Sequence, residues 1–345
     1  METNNIKGTI DVTPEKASEH QTRIFGINIQ TVIPFISYRW FTLFGISAIV
    51  IISGFTMYFM KGGFPLGIDF KGGIKVDVRV NNPDVNIKDV RKIFTDAKME
   101  ADVNTVGNAS DRQYMITLPI ISSQNANDEV QMVTTSLGSK YGSDNIIVKS
   151  SEKVDARIGQ DFGMKAFYLI LISAGLILVY VIFRFDLFYG AGAIGALFHD
   201  VLFMLSCTLL LNIPIDLTIV AAILTIIGYS TNDTIVVFDR IRELHALNKD
   251  GDYEAIIDRS ITQTLSRTII TSLTVFLVVL AIFLWGGVVM KNFALLLLIG
   301  VIDGTYSSIF IAAPITYMLR KSMDKNLKGS KANLKKASAA QSVKS

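Results

Sequence analysis

The stretch LTIVAAILTIIGYSTNDTIVVF, Leu217–Phe238, decides the fold because it is long and apolar yet contains one carboxylate, Asp233. About 20 apolar residues in helical form cross the hydrocarbon core of a bilayer. A charged, unpaired carboxylate at that depth costs roughly 2.5–3.5 kcal/mol on insertion scales. Such a group faces the interior of a helical bundle, where it pairs or exchanges protons. Asp233 is therefore the first candidate for a functional residue.

The composition as a whole predicts a membrane α-helical protein. Of the 345 residues, 50% are hydrophobic, and the mean hydropathy of +0.43 is too high for an ordinary soluble domain. Six runs are long enough to cross a bilayer as helices. These six predicted transmembrane helices cover residues 40–60, 166–183, 187–211, 217–238, 268–290 and 293–319.

The basic residues are concentrated on one side of these predicted helices. The tail 320–345 is rich in lysine, and the loop between the fourth and fifth helices is rich in arginine, whereas the opposite short loops contain little of either. Because basic loops stay in the cytoplasm, we expect the N-terminal segment 1–39 and the tail 320–345 to be cytoplasmic. A lysine-rich tail after a last span is the expected cytoplasmic anchor, so nucleic acid is not a predicted partner.

Residues 61–165 form a large insert between the first and second helices, and this topology places the insert outside the cytoplasm. Alternating apolar and polar residues predict strands, and apolar residues at helical spacing predict helices. The predicted order is a strand at 74–80, a helix at 86–98, strands at 101–107 and 113–118, a helix at 127–137 and a strand at 146–154. This βαββαβ order is that of a ferredoxin-like sandwich.

The insert lacks the sequence features of a catalytic domain. It contains no histidine, no glycine-rich phosphate loop and no nucleophile with an adjacent base. Binding or mechanical transmission is therefore expected of it rather than catalysis. No metal site and no cofactor is predicted anywhere in the chain.

The segment GIDFKGG, 67–73, joins the first helix to the insert. Its Gly67, Asp69, Gly72 and Gly73 are candidate hinge or coupling residues. An ordinary turn that needs positive φ is the alternative explanation for the glycines.

Asp233 has a candidate basic partner in Arg267. Asp233 precedes the cytoplasmic-loop residue Arg240 by seven positions, or about 10 Å along a helix. Arg267 opens the fifth helix from the same side, so the two side chains reach one level if the helices pack together. A nearby arginine and burial act on a carboxylate in opposite directions, which is the competition that a proton switch needs. The alternative is a static pair that fixes helix packing.

Other polar residues within the predicted helices are candidates for supporting roles. Ser230, Thr231 and Asn232 surround Asp233 in sequence, and they could hydrate the site or hold helices together. Tyr229 is a candidate hydrogen-bonding neighbour, with a structural role as the alternative. His199 and Asp200 lie midway through the third helix, where they form either a proton path or a satisfied packing pair. Asp303 lies in the last helix and must face the bundle interior or water.

Five segments together closely resemble the SecD/SecF family of bacterial protein-export subunits, within the RND superfamily. The segments are GIDFKGG (67–73), ALFHDV (196–201), GYSTNDTIVVFDRIRE (228–243), SRTIITS (266–272) and GTYSSIFIA (304–312). The combination is highly specific, and the resemblance extends from about residue 40 to residue 320. Asp303 departs from it, because that position is expected to be apolar or small.

The resemblance implies a function and a set of partners. It implies an RND-type six-helix unit, a non-enzymatic subunit that uses the proton motive force to assist late stages of protein export across the bacterial cytoplasmic (inner) membrane. Asp233 is then the family's proton-carrying acid and Arg267 its basic partner. The implied partners are SecD as a separate chain, the SecYEG translocon, exported unfolded polypeptides and, as a further candidate, YajC, with SecA acting indirectly.

Three other functions compete with this reading. A half-transporter of the same superfamily would move a lipid or small molecule, but it would need a larger outer domain. An intramembrane aspartyl protease would use pairs among Asp200, Asp233 and Asp303, whose sequence settings do not match such enzymes. A purely structural scaffold would leave an acid and a base at matching depth unexplained.

Overall fold

The computed structural model describes residues 22–24, 27–29, 32–37, 45–99, 101–106, 109–119, 126–154, 156–249 and 251–323. Residues 40–44 of the first predicted transmembrane helix lie outside the described residues. So do most of the predicted N-terminal segment and the tail from residue 324.

Long apolar helices make up the membrane part. Five of the described helices are long and apolar enough to cross a bilayer, so the chain is a multi-pass membrane protein. A shorter apolar helix, α1, covers Ile46–Lys61. The five long helices are α5 (Ala156–Arg184), α6 (Leu187–Leu210), α7 (Leu217–Leu247), α8 (Tyr253–Trp285) and α9 (Gly287–Ser307). Helix α9 continues through a π-helical turn at Ser308–Ala312 to residue 323.

Three of the helices extend by about nine or more residues beyond the apolar runs predicted from the sequence. Helix α5 begins at Ala156, α7 ends at Leu247 and α8 begins at Tyr253. Hydropathy detects only the stretch that suits lipid, whereas the backbone hydrogen-bond ladder continues into polar sequence until a cap ends it.

Aspartates fix where α6, α7 and α8 begin. Asp186 accepts hydrogen bonds from the backbone of Phe188 (2.8 Å) and Tyr189 (3.2 Å). Asp216 accepts from Ile219 N at 2.9 Å, and Asp252 accepts from the backbone at the start of α8. An aspartate in this position satisfies backbone N–H groups that have no partner within the helix, and it suits the positive end of the helix dipole.

Helices α7, α8 and α9 all contact one another. Helix α1 packs against α6, where a Cβ on Gly54 would collide with Ser206, so the glycine permits close approach of the two helices. The packed apolar side chains form two clusters along the bundle, with fully buried residues such as Ile219 in one and Phe238 in the other.

The insert folds as a four-stranded antiparallel sheet with two helices. Its elements are β3 (Gly73–Val80), α3 (Ile87–Asp96), β4 (Asp102–Val106), β5 (Gln113–Leu118), α4 (Ala126–Tyr141) and β6 (Ile146–Val154). The spatial order of the strands is β4-β5-β3-β6. This is the βαββαβ order predicted from the sequence. Alternate residues of β3 and β5, such as Val76 opposite Ile116, point into one core with Phe94 and Leu137.

The N-terminal segment contacts the bundle. A short hairpin of β1 (Thr22–Ile24) and β2 (Ile27–Ile29) precedes residues 32–37. The backbone N–H of Ile36 donates to Asp258 Oδ1 at 2.8 Å, and that of Ile33 donates to Thr262 Oγ1 at 3.2 Å. This segment therefore lies at the end of the bundle where α8 begins. A short α2 (Ile68–Lys71) joins α1 to the insert, and β4 contacts α9.

Candidate functional site

Asp233 lies inside the helical bundle, as the sequence predicted for a carboxylate in an apolar helix. It is only 2% exposed. Its carboxylate interacts with the Ser272 hydroxyl on α8. Its Oδ2 atom has no hydrogen-bond partner within the part of the chain that the structure describes. A buried carboxylate with one unsatisfied oxygen is well placed to take up a proton.

A chain of hydroxyl groups connects three helices beside Asp233. Tyr229 Oη on α7 donates a hydrogen bond to Ser272 Oγ on α8 at 2.9 Å. Ser272 Oγ lies 2.6 Å from Thr305 Oγ1 on α9. Hydroxyls both donate and accept, so this chain can reorient when the charge on a neighbouring carboxylate changes.

Arg267 acts on Asp233 from a distance. Its positive charge is close enough for an electrostatic interaction. However, among the described residues no Lys or Arg nitrogen lies within 4.0 Å of the Asp233 carboxylate. Adjacent helical residues point about 100° apart. Thr268 is buried at 1% exposure, so Arg267, the residue before it, points away from the buried face of α8 and is exposed.

The structure separates the other predicted neighbours of Asp233. Ser230 is buried, and its Oγ lies 3.2 Å from Ser307 Oγ on α9. Tyr229 is half-buried and belongs to the hydroxyl chain. Asn232 is exposed on the outer face of α7 and is not brought into the site. Sequence adjacency is a poor guide here, because residues i and i+1 of a helix do not share a face.

His199, Asp200 and Asp303 form a second buried polar cluster. His199 and Asp200 lie on α6 and Asp303 lies on α9. Asp200 is 1% exposed and Asp303 is 4% exposed. His199 Nδ1 lies 3.2 Å from Asp200 Oδ1. The sequence singled out each of these residues, but only the packing of α6 against α9 shows that Asp303 joins the other two.

The GIDFKGG segment is hydrogen-bonded to the start of α7, the helix that carries Asp233. Asp69 Oδ2 accepts a hydrogen bond from the Leu217 backbone N–H at 2.9 Å. Gly67 N–H donates to the Ile215 carbonyl at 2.6 Å. On the other side, Asp69 Oδ1 lies 3.8 Å from Lys75 Nζ on β3 of the insert. Asp69 therefore connects the insert with the first turn of α7.

Glycine is required at different positions of this segment for different physical reasons. Gly72 has φ of 78°, which is strained for other residues, so it fits the turn explanation. At Gly73 a Cβ would lie 2.5 Å from Ile68 Cγ2 and 2.6 Å from the Leu118 carbonyl oxygen. At Gly67 a Cβ would lie 3.0 Å from the Ile215 carbonyl oxygen. Gly67 and Gly73 thus shape contacts rather than turns.

Sequence reasoning did not assign site roles to Ser272, Thr305 and Ser307. The signal was present, since Ser272 ends the SRTIITS segment and the other two lie in GTYSSIFIA. Hydroxyl residues in apolar helices commonly bond to the preceding turn of their own helix, so residue type alone does not distinguish them.

Comparisons with known proteins agree with this architecture. The family model described as "Protein export membrane protein SecD/SecF, C-terminal" matches residues 133–322. The "SecD/SecF GG Motif" model matches residues 59–84, which include the Asp69 segment.

Individual relatives and a solved structure are also similar. The protein translocase subunit SecF of Helicobacter pylori is 36% identical over 292 residues, covering 85% of this chain and 89% of that protein. SecF of Haemophilus influenzae is 41% identical over 261 residues, covering 75% and 78%. The crystal structure of SecDF, a translocon-associated membrane protein from Thermus thermophilus, superposes with a TM-score of 0.72 at 33% identity. That match covers 85% of this chain but only 39% of the SecDF chain.

The two family models match residues 59–84 and 133–322, and the SecF relative from Helicobacter pylori covers 85% of the chain. The chain therefore belongs to the SecD/SecF family of protein export membrane proteins.

Proposed function

We propose that this chain is an accessory subunit of the Sec translocase that uses the proton motive force, with a SecD-type partner, to promote late stages of protein export. Family membership favours this over the half-transporter alternative. The observation that carries the proton-driven part is Asp233, a carboxylate buried at 2% exposure beside a hydroxyl chain that joins three helices.

The proposed topology has six spans, with α1 completed by residues that precede it. The insert is then an extracytoplasmic ferredoxin-like domain, and both termini are cytoplasmic in the bacterial inner membrane. Contact of residues 33 and 36 with the start of α8 supports this arrangement, because it puts the N-terminal segment at the end that carries the basic α7–α8 loop.

The proposed mechanism begins with a charge change at Asp233. One proton that moves down 100 mV releases about 2.3 kcal/mol, which is enough to bias a conformational equilibrium. When Asp233 is charged, it attracts Arg267 and orders the neighbouring hydroxyls. When Asp233 is protonated, that attraction is lost and the carboxyl group can itself donate a hydrogen bond. The packing of α7 against α8 and α9 then shifts.

Asp69 is the proposed link from this shift to the outer domain. It accepts from the first turn of α7 at 2.9 Å and faces Lys75 of β3 at 3.8 Å. A movement of α7 along its axis would therefore displace Asp69, and with it the segment that joins the outer domain to the membrane helices. Gly67, Gly72 and Gly73 serve as the coupling segment, with Gly72 supplying the turn. The exported polypeptide, SecYEG, YajC and, indirectly, SecA are proposed partners through the resemblance alone.

Complementation tests the role of Asp233. In cells depleted of the native subunit, Asp233→Asn should insert and assemble but fail to restore export of a secreted reporter, because asparagine keeps the shape and cannot titrate. Asp89→Asn, an acid-to-amide change on the outer domain surface, should restore export. Full restoration of export by Asp233→Asn would show that Asp233 is a packing group and that the proton mechanism is wrong.

A surface on α7 supports a partner within the membrane. We define the α7 stripe as Ala221, Thr225, Gly228 and Asn232, which are all exposed and recur every three or four residues along one face. Small and polar residues are typical of helix–helix contacts in membranes rather than of lipid-facing surfaces. A SecD-type helix is the proposed occupant of the stripe.

The stripe permits a sharp test, because a Cβ on Gly228 meets no atom within 4 Å in this chain. Gly228→Leu should therefore leave the subunit folded but reduce its copurification with the SecD-type partner. Gly175→Leu on α5 is the matched control, since Gly175 is also exposed with no atom within 4 Å of its Cβ position. Equal copurification of both variants would exclude the stripe as the contact.

A further inference from the structure

The cluster of His199, Asp200 and Asp303 takes no part in the mechanism at Asp233. One nitrogen of His199 and one oxygen from each carboxylate all lie within 4.8 Å of one another. Both aspartates are at least nine-tenths buried. Asp233 is not a member of this group.

The charge of this cluster is uncompensated. Two carboxylates at close range repel each other, and burial makes the charged form of each more costly. Among the described residues, no Lys or Arg nitrogen lies within 4.0 Å of Asp200 or Asp303; the nearest basic group is the imidazole of His199. A cation or added protons must therefore neutralise the pair.

Each member of the cluster also presents an unsatisfied atom. His199 Nε2, Asp200 Oδ2 and Asp303 Oδ2 are buried without a hydrogen-bond partner within the described part of the chain. Such atoms are uncommon in native proteins, and each calls for an explanation such as a ligand, an ion or a water molecule. The three atoms are candidate electron-pair donors, one on each residue of the cluster.

The donor types indicate the ligand. We propose that His199, Asp200 and Asp303 bind a divalent transition-metal cation of the Zn²⁺ class that joins α6 to α9. Two carboxylates balance the charge of a divalent ion. An imidazole nitrogen favours these ions over Na⁺, Mg²⁺ or Ca²⁺, which prefer oxygen ligands.

The geometry requires a modest closure on binding. Metal–ligand bonds of about 2.1 Å in a tetrahedral site put the ligand atoms about 3.4 Å from one another. The candidate ligand atoms of this cluster lie up to 4.8 Å from one another, so they must move closer. Rotation of the carboxylates can supply this difference. The π-helical turn Ser308–Ala312 begins just after Asp303 in α9, and such turns are frequent at functional sites. Three protein ligands leave a fourth position for water.

A shared proton is the competing explanation for two close carboxylates. A proton between Asp200 and Asp303 would satisfy their facing oxygens, but it would leave the unpartnered nitrogen of His199 unexplained. A metal bound through His199 Nε2 and the two Oδ2 atoms would satisfy all three. The proposed site departs from the expectation, drawn from the sequence, that the chain holds no metal.

Metal analysis of the purified, tag-free full chain tests the proposal. The protein is stripped with a chelator, dialysed against Zn²⁺ or Co²⁺ alone, and analysed by elemental mass spectrometry and visible absorption. We expect about one metal per chain and Co²⁺ absorption bands in the wild type. Asp303→Asn and His199→Gln should each lower the affinity by at least tenfold.

Asp233→Asn is the control, because it should bind metal as the wild type does even if the proton mechanism at Asp233 is correct. Failure of that mechanism would likewise leave the metal result unchanged. If a ligand variant does not fold, the wild type alone still tests the idea, because Zn²⁺ should raise its thermal midpoint and a chelator should reverse the rise. Absence of bound metal, or equal binding by wild type and ligand variants, would overturn the proposal. An infrared band of a protonated carboxyl group that disappears in Asp303→Asn would instead assign a shared proton.

Discussion

Replacing Asp69 by alanine removes the side chain that connects the outer domain with the first turn of α7. The carboxylate accepts a hydrogen bond from Leu217 N at 2.9 Å and lies 3.8 Å from Lys75 Nζ. Its side chain is 13% exposed, so water replaces these contacts only in part. A hydrogen bond to a charged group contributes about 1.5–3 kcal/mol. The ion pair adds at most about 1 kcal/mol.

We therefore expect Asp69→Ala to weaken the attachment by about 2 kcal/mol, which shifts the equilibrium between attached and detached domain by roughly 30-fold. Asp69→Asn is the matched control. Its amide oxygen can still accept from Leu217 N, but the ion pair with Lys75 is lost, so its shift should be about fivefold at most.

Disulfide crosslinking measures the attached population. One cysteine is introduced on β4 and one on the part of α9 that β4 contacts, after the single native cysteine, the buried Cys207, is replaced. The crosslinking rate should fall in the order wild type, Asp69→Asn, Asp69→Ala, and export of a secreted reporter should fall in the same order. If Asp69→Ala crosslinks and exports as the wild type does, Asp69 does not couple the domain to α7.

Two further predictions concern the bundle. Ser272→Ala interrupts the hydroxyl chain beside Asp233 and removes about 1 kcal/mol of hydrogen bonding, so proton-dependent export should slow by roughly threefold to tenfold at normal protein abundance. Ser272→Thr keeps the hydroxyl and should export nearly normally; an alanine variant with the wild-type rate would contradict the role of the chain. Gly192→Ala would place a Cβ against Thr316 Oγ1, so overpacking of about 1–3 kcal/mol should lower the thermal midpoint of the purified protein. Gly175→Ala, which meets no atom within 4 Å and gains helix propensity, should not lower the midpoint, and equal midpoints for the two variants would refute the packing argument.

The fold of the outer domain could be predicted closely because its signals are local. Alternation along β3 and β5 and helical spacing in α3 depend only on neighbouring residues, so the βαββαβ order follows from the sequence. The ends of the membrane helices were less predictable. The start of α8 at Tyr253 depends on a cap at Asp252, a signal that hydropathy does not contain.

The sequence could predict Asp233, the central acid of the candidate site, but not the residues that contact it. Asp233 stood out because a carboxylate in lipid is costly wherever the helix packs. Its contacts depend on helix rotation, which places Ser272 beside it and leaves Asn232 on the outer face. Arg267 was expected at the same membrane depth as Asp233. It interacts electrostatically with the Asp233 carboxylate, but within the described residues the two side chains form no direct ion pair.

The sequence by itself determined that this chain is a multi-pass membrane protein with one inserted α/β domain and that its buried aspartates are functional candidates. Hydrophobicity, periodicity and the cost of charge in lipid are properties of a segment and its solvent, so they can be read without knowing the neighbours. Only the tertiary structure decided that Asp69 accepts a hydrogen bond from the first turn of the helix that carries Asp233, and that Asp303 joins His199 and Asp200. These are contacts between residues about 100 or more positions apart, and they depend on how helices pack and rotate against one another rather than on any local pattern.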